Sequence, residues 1–248
     1  MAAADSGGAS ADHRAFVGGA TGYTGQAVVE RLRALGVETV AHVRPDSRDL
    51  AGWRARFEGM GAQVDTTPWD EDAMVARLAE LRPTLVFALL GTTQRRMRRD
   101  KASGADSSYA KVDLGMTLML LRGAEATSPA PRFVYLSALG VKPSAPGTYY
   151  HARWEVEQAL RASSVPWTIA RPSFITGSDR GERRPLEQGG AVVAAGVLGL
   201  AGALGARRFR DRWGPIDAAT LAEGLVGAAL DPAAEGAVLT SDALRGAR

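Results

Sequence analysis

Short apolar runs alternate with amphipathic stretches of helical period along most of this chain. Arg14–Val17, Thr39–Val43, Gln63–Thr66, Thr84–Leu90, Phe133–Leu136, Trp167–Ala170 and Ala237–Thr240 read as strands. Between them, Tyr23–Leu35, Leu50–Phe57, Asp70–Leu81, Ser107–Ala126, Tyr149–Ala162 and Leu221–Leu230 read as helices. The first helix places Val28, Val29, Leu32 and Leu35 on one face, with Gly36 as its stop. Asp70 is the predicted N-cap of the third, and Pro83 follows its end. In Ser107–Ala126 the pattern puts Val112, Met116, Met119 and Leu120 on the inner side. From Leu85 to Leu90 the fourth strand is apolar without a break, which is how a strand covered on both faces reads. Such alternation predicts an α/β fold, a Rossmann-type doubly wound parallel sheet joined by right-handed crossovers.

The alternation fails once. Residues 178–213 are rich in Arg and Gly and contain the Ala/Gly/Val/Leu stretch Ala191–Ala206. That stretch is shorter than the roughly 20 residues a spanning helix needs, so no membrane span is predicted. The segment follows the sixth strand, on the side where such sheets bind ligands, and reads as a small C-terminal cap over a substrate site. Residues 1–12 read as a disordered tail and 13–248 as a single dinucleotide-binding domain carrying the cap as an insertion.

Composition narrows the chemistry. The chain is 46% hydrophobic and 23% charged, ordinary for a soluble globular protein. With no cysteine, disulfides, thiolate metal sites and a cysteine nucleophile are excluded. His13, His42 and His151 lie far apart, so no metal site is expected. A net charge of +3 is too small to imply nucleic acid as a partner. Met1–Asp12 lacks the basic start and apolar core of a signal peptide, and a cytoplasmic location is expected. The expected partner is a small-molecule substrate, for a monomer or homodimer.

The most informative stretch is Ala15–Gln26, where the first strand runs into Gly19, Gly22 and Gly25 and a helix begins at once. The first glycine permits the sharp turn, the second leaves a pyrophosphate room, and the third lets the helix pack close. Thr21, Tyr23 and Thr24 belong to the same loop and helix start, whose free N–H groups face the phosphates. The second strand ends at Arg44, about 20 residues past the glycines, where the adenosine ribose is met. Arginine there favours a 2′-phosphate, hence NADP(H) over NAD(H), with Ser47 as a further donor. Asp46, turned inward, would reverse the preference. Gly91 and Thr92 close the fourth strand with small residues that let the cofactor's middle lie against them. The fifth strand ends at Ser137, and twelve residues on stands Tyr149, with Arg153 one helical turn further on the same face. Ser137 could hold a carbonyl while Tyr149 donates the proton that balances hydride transfer. Tyr150, pointing elsewhere, is the alternative acid. The basic run 95–101 reads as a solvated loop or an attractor of acidic groups.

The chain resembles the atypical short-chain dehydrogenase/reductases of the NmrA-like kind, most of all the Tat-interacting-protein oxidoreductase branch. The resemblance spans about Phe16 to Leu230. It rests on Gly19-Ala20-Thr21-Gly22-Tyr23-Thr24-Gly25, Leu90-Gly91-Thr92-Thr93, Tyr109-x-x-Val112-Asp113, Leu136-Ser137-x-x-Gly140, Tyr149-x-x-x-Arg153-Trp154-Glu155-Val156-Glu157, Arg171-Pro172 and Asp179-Arg180-x-Glu182-x-Arg184-Pro185. It implies NADP(H) binding, a nicotinamide side lined near Pro172, and a Ser–Tyr–Lys site matched by Ser137 and Tyr149. Arg153 replaces the family's lysine. It keeps the charge and can donate to ribose hydroxyls, but its planar head differs in geometry. The sequence therefore supports an NADP(H)-dependent oxidoreductase of a small carbonyl or quinone. A non-catalytic NADP(H)-sensing regulator that binds a protein partner is the rival, and a sugar-nucleotide epimerase a weaker third.

Overall fold

The computed structural model describes residues 12–92, 97, 108–176 and 212–246. Its strands are β1 (Arg14–Gly18), β2 (Glu38–His42), β3 (Gln63–Asp65), β4 (Leu85–Ala88), β5 (Arg132–Leu136), β6 (Trp167–Arg171), β7 (Ile175–Thr176), β8 (Ile216–Asp217) and β9 (Ala237–Thr240). Its α-helices are α1 (Tyr23–Ala34), α2 (Leu50–Gly59), α3 (Glu71–Leu81), α4 (Met116–Glu125), α5 (Thr148–Ala162), α6 (Ala218–Leu230) and α7 (Ser241–Gly246). A seven-stranded sheet runs β3-β2-β1-β4-β5-β6-β9 with every pairing parallel. β7 and β8 form a separate parallel pair. This is the Rossmann-type α/β architecture the alternation predicts. The strand order reverses between β1 and β4, and ligands bind at the carboxyl ends of strands beside such a switch.

Both faces of the sheet are covered, which is why its strands read as unbroken apolar runs. Ala15, Val17, Leu85, Phe87, Val134 and Leu136 face α1, α2 and α6. Phe16, Val86, Ala88, Phe133 and Tyr135 face α3, α4 and α5. Helix ends follow the local signals. Asp70 caps α3 by accepting the Ala73 N–H at 3.0 Å. Gly36, just past α1, sits at φ +76°, the left-handed conformation that ends helices.

One element departs from expectation. Ser107–Ala126 is not a uniform α-helix, because Ala110–Gly115 forms a π-helical turn that leads into α4. Its wider hydrogen-bond step shifts the phase of the faces. Val112, Asp113, Thr117, Leu120 and Leu121 are buried, whereas Met116 and Met119 are half-buried. The proposed cap falls almost wholly outside the described residues, as do the tail to residue 11, Thr93 and the basic run apart from Met97.

Candidate active site

Because the strands are parallel, their carboxyl ends bring the loops after β1, β2, β4, β5 and β6 to one edge. Every candidate site residue of the sequence sits on one of these loops, on the first turn of α1 or on the first two turns of α5.

After β1 the chain turns at Gly19, whose φ is +84° and where an added Cβ would lie 2.6 Å from the Leu89 carbonyl oxygen. A Cβ at Gly25 would come within 2.2 Å of the Gly19 carbonyl oxygen, so α1 starts hard against the turn. Gly22 donates its N–H to Gly19 O at 2.9 Å and is itself exposed. It is the N-cap of α1, with no side-chain cap bond and no acidic residue in the first turn. Thr24 is buried, Tyr23 half-buried, and the Thr21 carbonyl accepts from Gln26 Nε2 at 3.0 Å. A helix start lacking its own anionic cap, behind an exposed glycine, has the donor set a pyrophosphate requires.

Beyond β2, Arg44 is half-buried, and its Nη1 lies 3.3 Å from the exposed Asp46 carboxylate. Ser47 donates its N–H to Arg44 O at 3.0 Å, closing a turn. Past the end of β4, Gly91 is exposed and Thr92 buried, and Thr92 Oγ1 has no hydrogen-bond partner among the described residues. A buried hydroxyl without a partner at this place fits a group that accepts or donates from outside the chain. Pro172, after β6, is buried, and its carbonyl accepts the Leu139 N–H at 2.9 Å, joining the β5 and β6 loops.

Arg153 and Tyr149 are brought together. The Arg153 guanidinium carbon stands 4.7 Å from the centroid of the Tyr149 ring, which packs edge-on against Tyr109 and Tyr150. Arg153 is 6% exposed; its Nη1 donates to Leu136 O at 2.5 Å and its Nη2 to Asp113 Oδ1 at 2.9 Å. Burial works against its charge, but the Tyr149, Tyr135 and Asp113 groups around it outweigh that and raise its pKa further. Arg153 is therefore a permanent cation. Tyr135 is also buried, its hydroxyl without a partner among the described residues, and desolvation pushes its pKa above the ordinary tyrosine range. Tyr150 stays against Tyr149, ring centroids 5.1 Å apart, and also reaches the loop after β5, its ring 3.7 Å from where a Gly140 Cβ would be.

Ser137 is placed differently. It continues the alternation of Phe133 and Tyr135 toward α5, and its hydroxyl donates to Glu157 Oε1 at 2.6 Å. Glu157 is fully buried and also accepts Nε and Nη2 of Arg171 at 2.9 and 2.5 Å. Ser137 thus joins a carboxylate–guanidinium lock beside the Tyr149–Arg153 pair.

Asp113 and Glu157 stand among the motifs that carry the resemblance, but the sequence reading gives neither a role at the site. Their signal was present as a carboxylate set among apolar neighbours on a helix, Val112 beside one and Val156 and Leu160 flanking the other. Acidic residues are almost never fully buried unless paired, so each position called for a buried partner. Among the described residues no helix is long and apolar enough to cross a membrane.

Comparison with known proteins places the chain by family and by fold. A family model described as NAD(P)H-binding matches residues 19–197. A protein of Aspergillus clavatus named "Protein fmp52, mitochondrial" is 30% identical over 216 residues, covering 86% of this chain and 85% of the relative. Its namesake in Aspergillus niger is 28% identical over 217 residues, covering 85% and 84%. Among solved structures, UDP-glucose 4-epimerase from Brucella ovis in complex with NAD superposes with a TM-score of 0.61 at 16% identity, covering 92% of this chain and 76% of that one. A structure from work on pinoresinol-lariciresinol and phenylcoumaran benzylic ether reductases gives 0.53 at 19% identity, covering 66% and 51%. At these identities the structural likenesses establish the fold.

Proposed function

Since this chain belongs to the NAD(P)H-binding family, we propose that it is an NADP(H)-dependent oxidoreductase acting on a small carbonyl or quinone. Within that family the motifs favour the Tat-interacting-protein branch of the short-chain reductases. The observation that carries the reading is the buried Arg153 guanidinium beneath Tyr149, at the sheet edge that also holds the uncapped α1 start. The backbone from Gly19 to Gly25 would hold the pyrophosphate, Arg44 and Ser47 the 2′-phosphate, and Gly91, Thr92 and Pro172 the nicotinamide half. The cofactor supplies a hydride. Tyr149 donates the proton that the reduced carbonyl oxygen takes up, and the fixed Arg153 cation stabilises the negative charge this leaves on the tyrosine oxygen.

Purified protein is mixed with NADPH and a panel of quinones and aldehydes, beside Tyr149→Phe. Turnover that is lost in the variant supports the enzyme. NADPH binding without turnover favours the rival, a cofactor-sensing regulator. One observation supports that rival, namely the Ser137 hydroxyl held by Glu157 at 2.6 Å. For cofactor choice, Arg44→Ala should weaken NADPH by roughly tenfold or more, as expected for charge-assisted bonds, and barely affect NADH. Equal losses defeat the NADP(H) assignment. A cytoplasmic site is proposed from the sequence; cell fractionation tests it against the mitochondrial naming of the Aspergillus relatives.

A further inference from the structure

We propose that Asp113 is a positioning residue that couples the cofactor loop Gly91-Thr92 to the Tyr149–Arg153 pair, an inference that rests on the NADP(H) reading above. Its two carboxylate oxygens serve different elements. Oδ2 accepts the Thr92 N–H at 3.0 Å, and Oδ1 accepts Arg153 Nη2 at 2.9 Å. Asp113 is 1% exposed, so neither bond competes with water.

The surrounding backbone is shaped for this contact. A Cβ on Gly91 would lie 3.4 Å from Arg153 Nη2 and 3.7 Å from Asp113 Oδ1, so the loop lies directly on the ion pair. The π-helical turn Ala110–Gly115 presents Asp113, and Thr117 Oγ1 ties the turn by donating to Asp113 O at 2.7 Å. π-turns are rare and often occur at functional sites. Among the described residues Arg153 Nε is buried without a partner, so the guanidinium is positioned from its Nη end by Leu136 O and Asp113 and by the Tyr149 side chain that lies against it.

The coupling follows from these contacts. Asp113 fixes the Thr92 backbone and thereby the direction in which the unpartnered Thr92 hydroxyl faces a nucleotide. The same carboxylate fixes the cation beneath the proton donor. An asparagine at 113 keeps an acceptor for Thr92 but loses the charge that holds Arg153, whereas an alanine loses both.

The full-length protein is compared with Asp113→Asn and Asp113→Ala by amide hydrogen exchange at Thr92 without ligand, by calorimetry with NADPH, and by steady-state kinetics. In Asp113→Ala, Thr92 exchange should rise and NADPH affinity fall by roughly tenfold or more, the scale of one lost buried bond. In Asp113→Asn both should stay within about threefold, while kcat falls roughly tenfold with KM nearly unchanged. A purely structural role would lower the melting temperature without that kcat–KM split. Unchanged Thr92 exchange in Asp113→Ala, or unchanged kcat in Asp113→Asn, overturns the proposal. If the wild type binds NADPH but reduces nothing, the reductase reading fails, and exchange and calorimetry alone decide the role of Asp113. Should Asp113→Ala not fold, Asp113→Ser, too short to span both partners, is read in its place.

Discussion

The guanidinium of Arg153 lies 4.7 Å from the centre of the Tyr149 ring and does not point free into the cleft. Its two Nη groups are held by a backbone carbonyl and a buried carboxylate. An ammonium can supply the charge but not the fork that reaches both partners. Arg153→Lys is therefore expected to lower stability by about 1–3 kcal/mol, the range for hydrogen bonds to charged groups. Chemical denaturation measures it. A lysine variant as stable as the parent shows that the forked contacts do not matter.

Gly25 and Gly36 make a matched pair. Alanine is the better helix former, yet a Cβ at Gly25 meets the Gly19 carbonyl at 2.2 Å, and backbone cannot move aside cheaply. Gly25→Ala should cost about 1–3 kcal/mol or more through overpacking and should weaken nucleotide binding. At Gly36 nothing lies within 4 Å, so Gly36→Ala should cost only the roughly 1–2 kcal/mol of a left-handed backbone and leave binding alone. Thermal melts with and without NADPH separate the two.

His42 gives stability a defined pH dependence. It is 2% exposed, faces Trp69 edge-on and bonds Thr67 O through Nε2 at 2.7 Å. Desolvation lowers its pKa below 6.5, although the Thr67 bond and Asp65 oppose the shift. Above that pH neither the folded nor the unfolded chain carries a proton there. Below it the unfolded chain binds one and the folded chain does not, so stability falls as pH drops from about 6.5 toward the folded value. Asp65 acts at lower pH. Burial raises its pKa, but the Thr67 N–H and Arg77 outweigh this and lower it, so its contribution is lost as pH falls below 3.8. Denaturation midpoints at pH 7.5 and 5.5 should differ in the parent and converge in His42→Gln; parallel slopes remove His42 as the cause.

Ser137 and Glu157 are told apart by truncation. Glu157→Ala leaves the Arg171 guanidinium without its buried carboxylate and should cost about 3–5 kcal/mol. Ser137→Ala leaves that pair intact and should cost about 1–2 kcal/mol. If Ser137→Ala also removes turnover at unchanged NADPH affinity, Ser137 acts on the substrate. Loss of stability alone confines it to the lock around Glu157.

What the sequence determined by itself was whatever depends on near neighbours. Apolar runs of strand length, glycines whose missing Cβ decides a turn, the Asp70 cap and the Gly36 stop are local matters, so the parallel sheet and the loop after β1 were legible. Tertiary structure alone decided which polar groups meet. Whether Ser137 faces Tyr149 or Glu157 depends on how α5 crosses the end of β5. Whether Arg153 is free or held depends on a π-turn far away in sequence, which shifts Asp113 inward by a fraction of a helical turn. A buried charge takes its role from the partner that comes to it through space, and spacing along a chain does not encode that partner.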